Sequence, residues 1–176
     1  IIGAGTNRMN IYTVGKATFG LAEYLLATGG NSIVIAYDSR NKSAEFARLS
    51  AEIMSYKGIK AYLFSELTPT PVLSFAVLYL QASAGIVITA SHNPKEYNGY
   101  KVYGADGAQM SPEDTEKVVS YINQIDDYLS VTADENSPLI LPVSKKLDED
   151  YIEELSKLTL SKKAVEECGK DLKLVY

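Results

Sequence analysis

Ser91, His92 and Lys101 are the residues of this chain whose types and spacing suit chemistry. A hydroxyl, an imidazole and, ten residues beyond the serine, an ammonium fall within the stretch from Gly85 to Met110. That stretch opens with Gly85-Ile86-Val87-Ile88-Thr89, a short run rich in β-branched residues that reads as a buried strand. It then changes to Ala90-Ser91-His92-Asn93-Pro94, small and polar residues closed by an Asn-Pro turn signal. Lys101 stands in a second strand-like run, Tyr100-Lys101-Val102-Tyr103. Polar and charged groups on a loop at a strand's end are where α/β sheets bind their ligands.

Each of these residues has a plain reading beside the chemical one. A loop serine can hydrogen-bond its own backbone in a turn, or it can be an activated or phosphorylated nucleophile. Gly-x-Ser-x-Gly is absent, which counts against acyl transfer. His92 is the only histidine, so it either relays a proton or satisfies the loop; a metal site built on it lacks a second ligand at the right spacing. Lys101 is either a solvated strand lysine or, between Tyr100 and Val102, one withdrawn enough from water to act as a base. Arg8 and Arg40 are further anion-binding candidates, with phosphate contact and loop bracing both open for Arg40. Asp38 reads as a helix cap, and Cys168 as a free thiol near a helix end.

The elements that position this loop follow a β–α–β–α–β rhythm. Asn10 can cap a helix over about 11–27, with Val14, Ala17, Thr18, Leu21 and Leu25 on one face; Gly15 and Gly20 weaken it, so tertiary packing must hold it. Ser32–Tyr37 is a second buried strand. A helix over about 41–57 stops at Gly58, and Ile59–Phe64 is a third strand. Thr68-Pro69-Thr70-Pro71 forces an extended link into an apolar helix of about 71–82. Ser111-Pro112-Glu113-Asp114 is a strong helix start, with the helix running to about Gln124. The stretch 126–144 is a linker with one extended piece near Leu139–Val143, followed by an amphipathic helix carrying Leu147, Tyr151, Leu155 and Leu158. Lys170–Tyr176 alternates like a strand beginning. The rhythm predicts an α/β fold: a layered, mixed, mostly parallel β-sheet with helices on both faces.

The chain has 176 residues, 46% hydrophobic and 22% charged, enough for one full core. Residues 113–154 carry twelve acidic side chains against three lysines, a net charge of −9, so the remainder carries +4. No basic stripe interleaved with aromatics appears, which argues against nucleic acid, while the mild positive excess near the serine suits a small anionic substrate. No apolar run approaches the roughly 20 residues of a membrane helix. The single cysteine rules out an internal disulfide and fits a reducing, cytoplasmic compartment.

Thr89-Ala90-Ser91-His92-Asn93-Pro94, continued by Tyr97-Asn98-Gly99-Tyr100-Lys101, resembles the phosphoserine signature of the α-D-phosphohexomutases, the family of phosphoglucomutases and phosphomannomutases. The Gly3–Asn10 opening and the Thr-Pro-Thr-Pro link resemble that family's first domain, and Asn7-Arg8-Met9-Asn10 leans towards its bacterial phosphoglucomutase branch. The resemblance implies that Ser91 carries a phosphoryl group, that Lys101 is the general base and that His92 assists proton handling. It implies Arg8, Arg40 and Asn98 as substrate or phosphate contacts, and a Mg²⁺ ion held at Ser91 through its phosphate. The substrate would be a hexose phosphate, passing through an intermediate of the glucose 1,6-bisphosphate type.

The family's first strand and its metal, sugar and phosphate loops of later domains are not in this sequence. The expectation is therefore a domain I over 1–143 lacking its first strand, with the phosphoserine loop at 89–101, a helical linker over 144–169 and the next domain's first strand begun at 170–176. The partners would be the remaining domains of a longer chain, and an uncovered sheet edge would promote self-association. The alternative is a stand-alone sugar-phosphate-binding α/β module without turnover, and a weaker third reading is a serine hydrolase.

Overall fold

Asn10 begins the first helix as its side chain allows: Oδ1 accepts the N–H groups of Tyr12 and Thr13, while Thr13 Oγ1 accepts the N–H of Asn10. This closes a reciprocal cap on α1 (Ile11–Ala27). The five apolar-face residues expected of α1 are all buried. Gly20, a helix weakener by itself, is where α1 meets a later helix: a Cβ there would lie 2.8 Å from the backbone N and Cα of Ile122. Close packing thus compensates the residue's poor helix propensity.

The computed structural model describes residues 1–173 and 175, in two units: Ile1–Val143 and the residues from Ser144 onward. In the first unit the elements are β1 (Ile2–Ala4), α1, β2 (Ser32–Tyr37), α2 (Ser43–Tyr56), β3 (Lys60–Leu63), α3 (Thr70–Tyr79), β4 (Ala84–Ile88), β5 (Tyr97–Gly104), α4 (Pro112–Asn123) and β6 (Ile140–Pro142). They build one six-stranded sheet in the order β1-β5-β4-β2-β3-β6. The β4-β2-β3-β6 pairings are parallel, and β5 runs antiparallel to both β4 and β1. Pro142, which has no N–H to give a ladder, sits on the edge strand β6.

Residues on alternate sides of the strands face different helices. Ile33, Ile35, Ile86 and Ile88 join Leu21 and Leu25 of α1, Ala47 and Met54 of α2 and Val118 of α4 in one buried cluster. Gly85 faces the other way, against Val77 and Leu73 of α3. The mixed, mostly parallel sheet with helices on both faces is the α/β fold expected.

Several boundaries differ from the sequence reading. Ile2–Ala4, for which the sequence reading offers no element, forms β1 with Ile2 opposite Gly99. α2 starts at Ser43 rather than about 41, because Lys42 adopts φ +69. α3 ends at Tyr79 rather than about 82, because Gln81 turns left-handed at φ +51 without a glycine to announce it.

In the second unit, the expected single helix is two: α5 (Lys146–Lys157) and α6 (Lys162–Gly169), the latter capped by Ser161 Oγ. Cys168 is free and exposed in α6. Of the strand expected at 170–176, residues 170–173 and 175 lie outside any strand, and Leu174 and Tyr176 fall outside the described residues. No helix among the described residues is long and apolar enough to cross a membrane.

Candidate active site

β2, β3 and β4 are parallel, so their carboxyl ends open on the same side of the sheet. The loops there, Asp38–Asn41 after β2, Thr68–Thr70 after β3, and Thr89 with Ser91 after β4, line a cavity of about 760 Å³. That lies within the range usual for small-molecule sites. The Thr68–Thr70 link, read from sequence only as an extended connection, supplies one wall.

The serine loop is two successive turns. Asn93 donates from both its backbone N–H and its Nδ2 to the carbonyl of Ala90, and Tyr97 N–H donates to the Pro94 carbonyl. Ser91 stands inside the first turn at φ +55, left-handed for a non-glycine residue, a conformation costing about 1–2 kcal/mol. Its N–H donates to Thr89 Oγ1 at 3.0 Å. Ser91 is exposed and is one of the residues lining the cavity, and His92 beside it is exposed too.

Lys101 lies opposite Val87 in the antiparallel β4–β5 ladder, and its Nζ donates a short hydrogen bond to Ser91 Oγ. The hairpin therefore delivers an ammonium to a hydroxyl ten positions earlier in the chain. A cation at this point favours negative charge on Ser91, whether alkoxide or phosphate.

Arg40 has every N–H engaged. Nε donates to Asp38 Oδ2, Nη1 to the carbonyls of Pro94 and Tyr97, and Nη2 to those of Ser91 and Asn93. Of the two roles open for it, the one on view is bracing; no donor is left for a phosphate. Asp38, expected as a helix cap, instead accepts from the Arg40 N–H, Arg40 Nε and Ser43 Oγ. Asn98 is also turned inward: its Nδ2 donates to Ser43 Oγ and the Asn41 carbonyl, and its Oδ1 accepts the Gly99 N–H. With that amide buried and both of its N–H groups committed, Asn98 ties β5 to the start of α2. Arg8 is exposed, its stem packed against Gly3, and it is not among the residues lining the cavity. The structure thus joins Ser91 and Lys101, leaves His92 exposed next to Ser91 in the chain, and gives Arg40 and Asn98 supporting partners, while Arg8 stays exposed away from the residues that line the cavity.

Behind the site, Tyr100 is buried with its hydroxyl 3.1 Å from Thr18 Oγ1, itself 3.1 Å from Ser50 Oγ. Burial pushes the Tyr100 phenol well above its ordinary range.

Comparison with known proteins agrees with this geometry. Residues 1–129 match the family model described as phosphoglucomutase/phosphomannomutase, alpha/beta/alpha domain I. The chain is 47% identical over 161 residues to a phosphoglucomutase of Staphylococcus haemolyticus and 43% identical over 160 residues to that of Staphylococcus aureus strain USA300. In each case the similarity covers 89% of this chain and 29% of the relative, so the chain spans under a third of their length. Among solved structures, a phosphomannomutase-type protein of Thermus thermophilus superposes with a TM-score of 0.79 at 28% identity, covering 90% of this chain and 34% of that one. A phosphoglucomutase/phosphomannomutase family protein of Burkholderia thailandensis shares the fold, with a TM-score of 0.70 at 22% identity over 89% of this chain and 34% of its own. On these grounds the chain belongs to the phosphoglucomutase/phosphomannomutase family and carries its α/β/α domain I.

Proposed function

We propose that this chain is the phosphoserine-bearing domain of a longer cytoplasmic phosphohexomutase, an isomerase that moves a phosphoryl group between the 1- and 6-positions of a hexose phosphate. Glucose phosphate is the first candidate substrate, since a phosphoglucomutase is 47% identical, and mannose phosphate the second. The observation that carries the reading is the Lys101 hydrogen bond to Ser91 Oγ, Ser91 being one of the residues that line the cavity.

Ser91 would carry the phosphoryl group. A sugar hydroxyl attacks phosphorus in line, a new O–P bond forms, and the bond from Ser91 Oγ to phosphorus breaks. Lys101, which donates to Ser91 Oγ, would relay the hydroxyl proton to that oxygen as its bond to phosphorus breaks. The resulting hexose bisphosphate then presents its other phosphoryl group to Ser91, and the same steps run in reverse. His92, exposed beside Ser91, assists the proton's movement, and Arg8 is the chain's candidate contact for the second phosphate.

Mg²⁺, implied by the family, would neutralise charge on the transferring group. No group of three His, Cys, Asp or Glu side chains among the described residues could hold a metal ion. The residues present therefore do not fit a complete site, and the phosphate on Ser91 would supply one face of it.

The test is to incubate the full-length protein with glucose 1,6-bisphosphate and map covalent phosphate by tandem mass spectrometry. Phosphate on Ser91 that is discharged by added hexose phosphate supports the reading. Hexose phosphate binding with no covalent phosphate would instead mark a binding module without turnover.

A further inference from the structure

We infer that Arg40 is a positioning residue for Ser91: although it lines the cavity, its guanidinium sets the shape of the serine loop and keeps no donor for a substrate. The catalytic consequence rests on the phosphoserine reading above, whereas the brace itself rests on geometry alone.

Four carbonyl oxygens from one seven-residue loop converge on this side chain. Those of Ser91 and Asn93 lie 2.8 and 2.7 Å from Nη2, and those of Pro94 and Tyr97 lie 2.7 and 2.9 Å from Nη1. Carbonyl dipoles gathered this way repel one another unless a positive charge with several donors stands between them. A planar fork with five N–H groups meets that demand; an ammonium, with three donors around one point, does not. The carbonyl of Ser91 is among the four, so the grip acts directly on the residue held left-handed at φ +55.

The brace is anchored on regular structure. Asp38, directly after β2, holds Nε at 3.1 Å. The same carboxylate is fixed by Ser43 Oγ at 2.8 Å, from the first residue of α2, and Ser43 in turn receives Asn98 Nδ2 of β5 at 2.9 Å. The loop is thus hung from a strand, a helix start and the next strand, which is how a reacting side chain is kept within its productive geometry.

The experiment uses Arg40→Lys and Arg40→Ala in the full-length protein, with two readouts. Hydrogen exchange of peptides covering 89–98 should quicken in both variants while β2 and β4 keep their protection; an unchanged loop in soluble Arg40→Lys would overturn the brace. In mutase assays, Arg40→Lys should lose about 10²-fold in kcat, the scale of a misplaced reacting group, with KM little changed. A loss confined to KM would overturn the inference by showing substrate contact, and so would full activity. If the wild-type protein never phosphorylates Ser91, the functional reading fails, and the exchange data still decide whether Arg40 braces the loop. Should Arg40→Ala fail to fold, Arg40→Lys carries both readouts.

Discussion

Lys101 reaches the Ser91 hydroxyl because β5 turns back along β4 with Lys101 opposite Val87. Thr89 and Gly99 extend the ladder by one bond, Thr89 N–H to the Gly99 carbonyl at 2.9 Å. Beyond that bond the chain leaves the sheet and Ser91 takes its left-handed turn. The ammonium is therefore placed by strand register and the hydroxyl by turn geometry. A shift of one residue in register would send the lysine to the opposite face.

This placement makes separate demands on charge and on proton transfer. In the full-length protein, Lys101→Ala should slow the chemical step by about 10²–10⁴-fold. Lys101→Arg should restore little, since a guanidinium keeps its charge but does not release a proton near neutral pH. Single-turnover discharge of phosphorylated protein by hexose phosphate measures the step. Substantial rescue by arginine would mean that Lys101 serves as a fixed charge only.

The left-handed backbone of Ser91 predicts a contrast between two inactive variants. Neither Ser91→Ala nor Ser91→Gly can hold a phosphoryl group, so both should lose nearly all mutase activity. Glycine adopts φ +55 without the cost that a Cβ imposes on alanine, as it does on the native serine. Ser91→Gly should therefore be the more stable of the two by about 1 kcal/mol, read from urea midpoints. Equal stability would mean that the turn relaxes once the hydroxyl is gone.

What was legible in the sequence was local. The β-branched run of β4, the Asn-Pro turn and the caps at Asn10 and Ser111 carry their physics within a few residues. Ser91 and Lys101 were visible because a short hairpin joins them. The support around them was not: Arg40 meets carbonyls 51 to 57 residues away, and nothing near it in sequence distinguishes bracing from anion binding. Asp38 followed a strand and preceded a helix, so it resembled a cap, yet its carboxylate orients Arg40. β1 is three residues long and held by pairing with a strand nearly a hundred residues away, so no local periodicity could reveal it.

Gly99 should be among the most sensitive positions near the site. A Cβ there would fall 2.5 Å from the Thr89 carbonyl oxygen and 3.0 Å from Ile2 Cγ1. The first neighbour is backbone and cannot swing aside, so Gly99→Ala must displace one strand of the hairpin. The expected cost is about 1–3 kcal/mol. Because Gly99 lies between Ser91 and Lys101 along the hairpin, kcat should also fall under conditions where the variant remains fully folded. Denaturant titration and kcat on one preparation check both, and a stable, fully active variant would show that the hairpin yields easily.

Tyr100 links stability to alkaline pH. Its hydroxyl is buried near Thr18 and Ser50, and burial raises the phenol above the ordinary value of about 10. Below that value neither the folded nor the unfolded state ionises, and the contribution is fully present. As pH rises past about 10, the unfolded chain loses this proton first, so stability declines by about 1.4 kcal/mol per pH unit until the folded phenol also ionises. Tyr100→Phe should cost about 1 kcal/mol at neutral pH, since Thr18 keeps the Val14 carbonyl and Ser50 the Phe46 carbonyl as acceptors. Phenylalanine cannot ionise, so this deficit should shrink above pH of about 10 and reverse near pH 11. Urea unfolding of both proteins across this interval isolates the effect, because every other titrating group is common to the two. A deficit independent of pH would mean that Tyr100 ionises alike in the folded and unfolded chain.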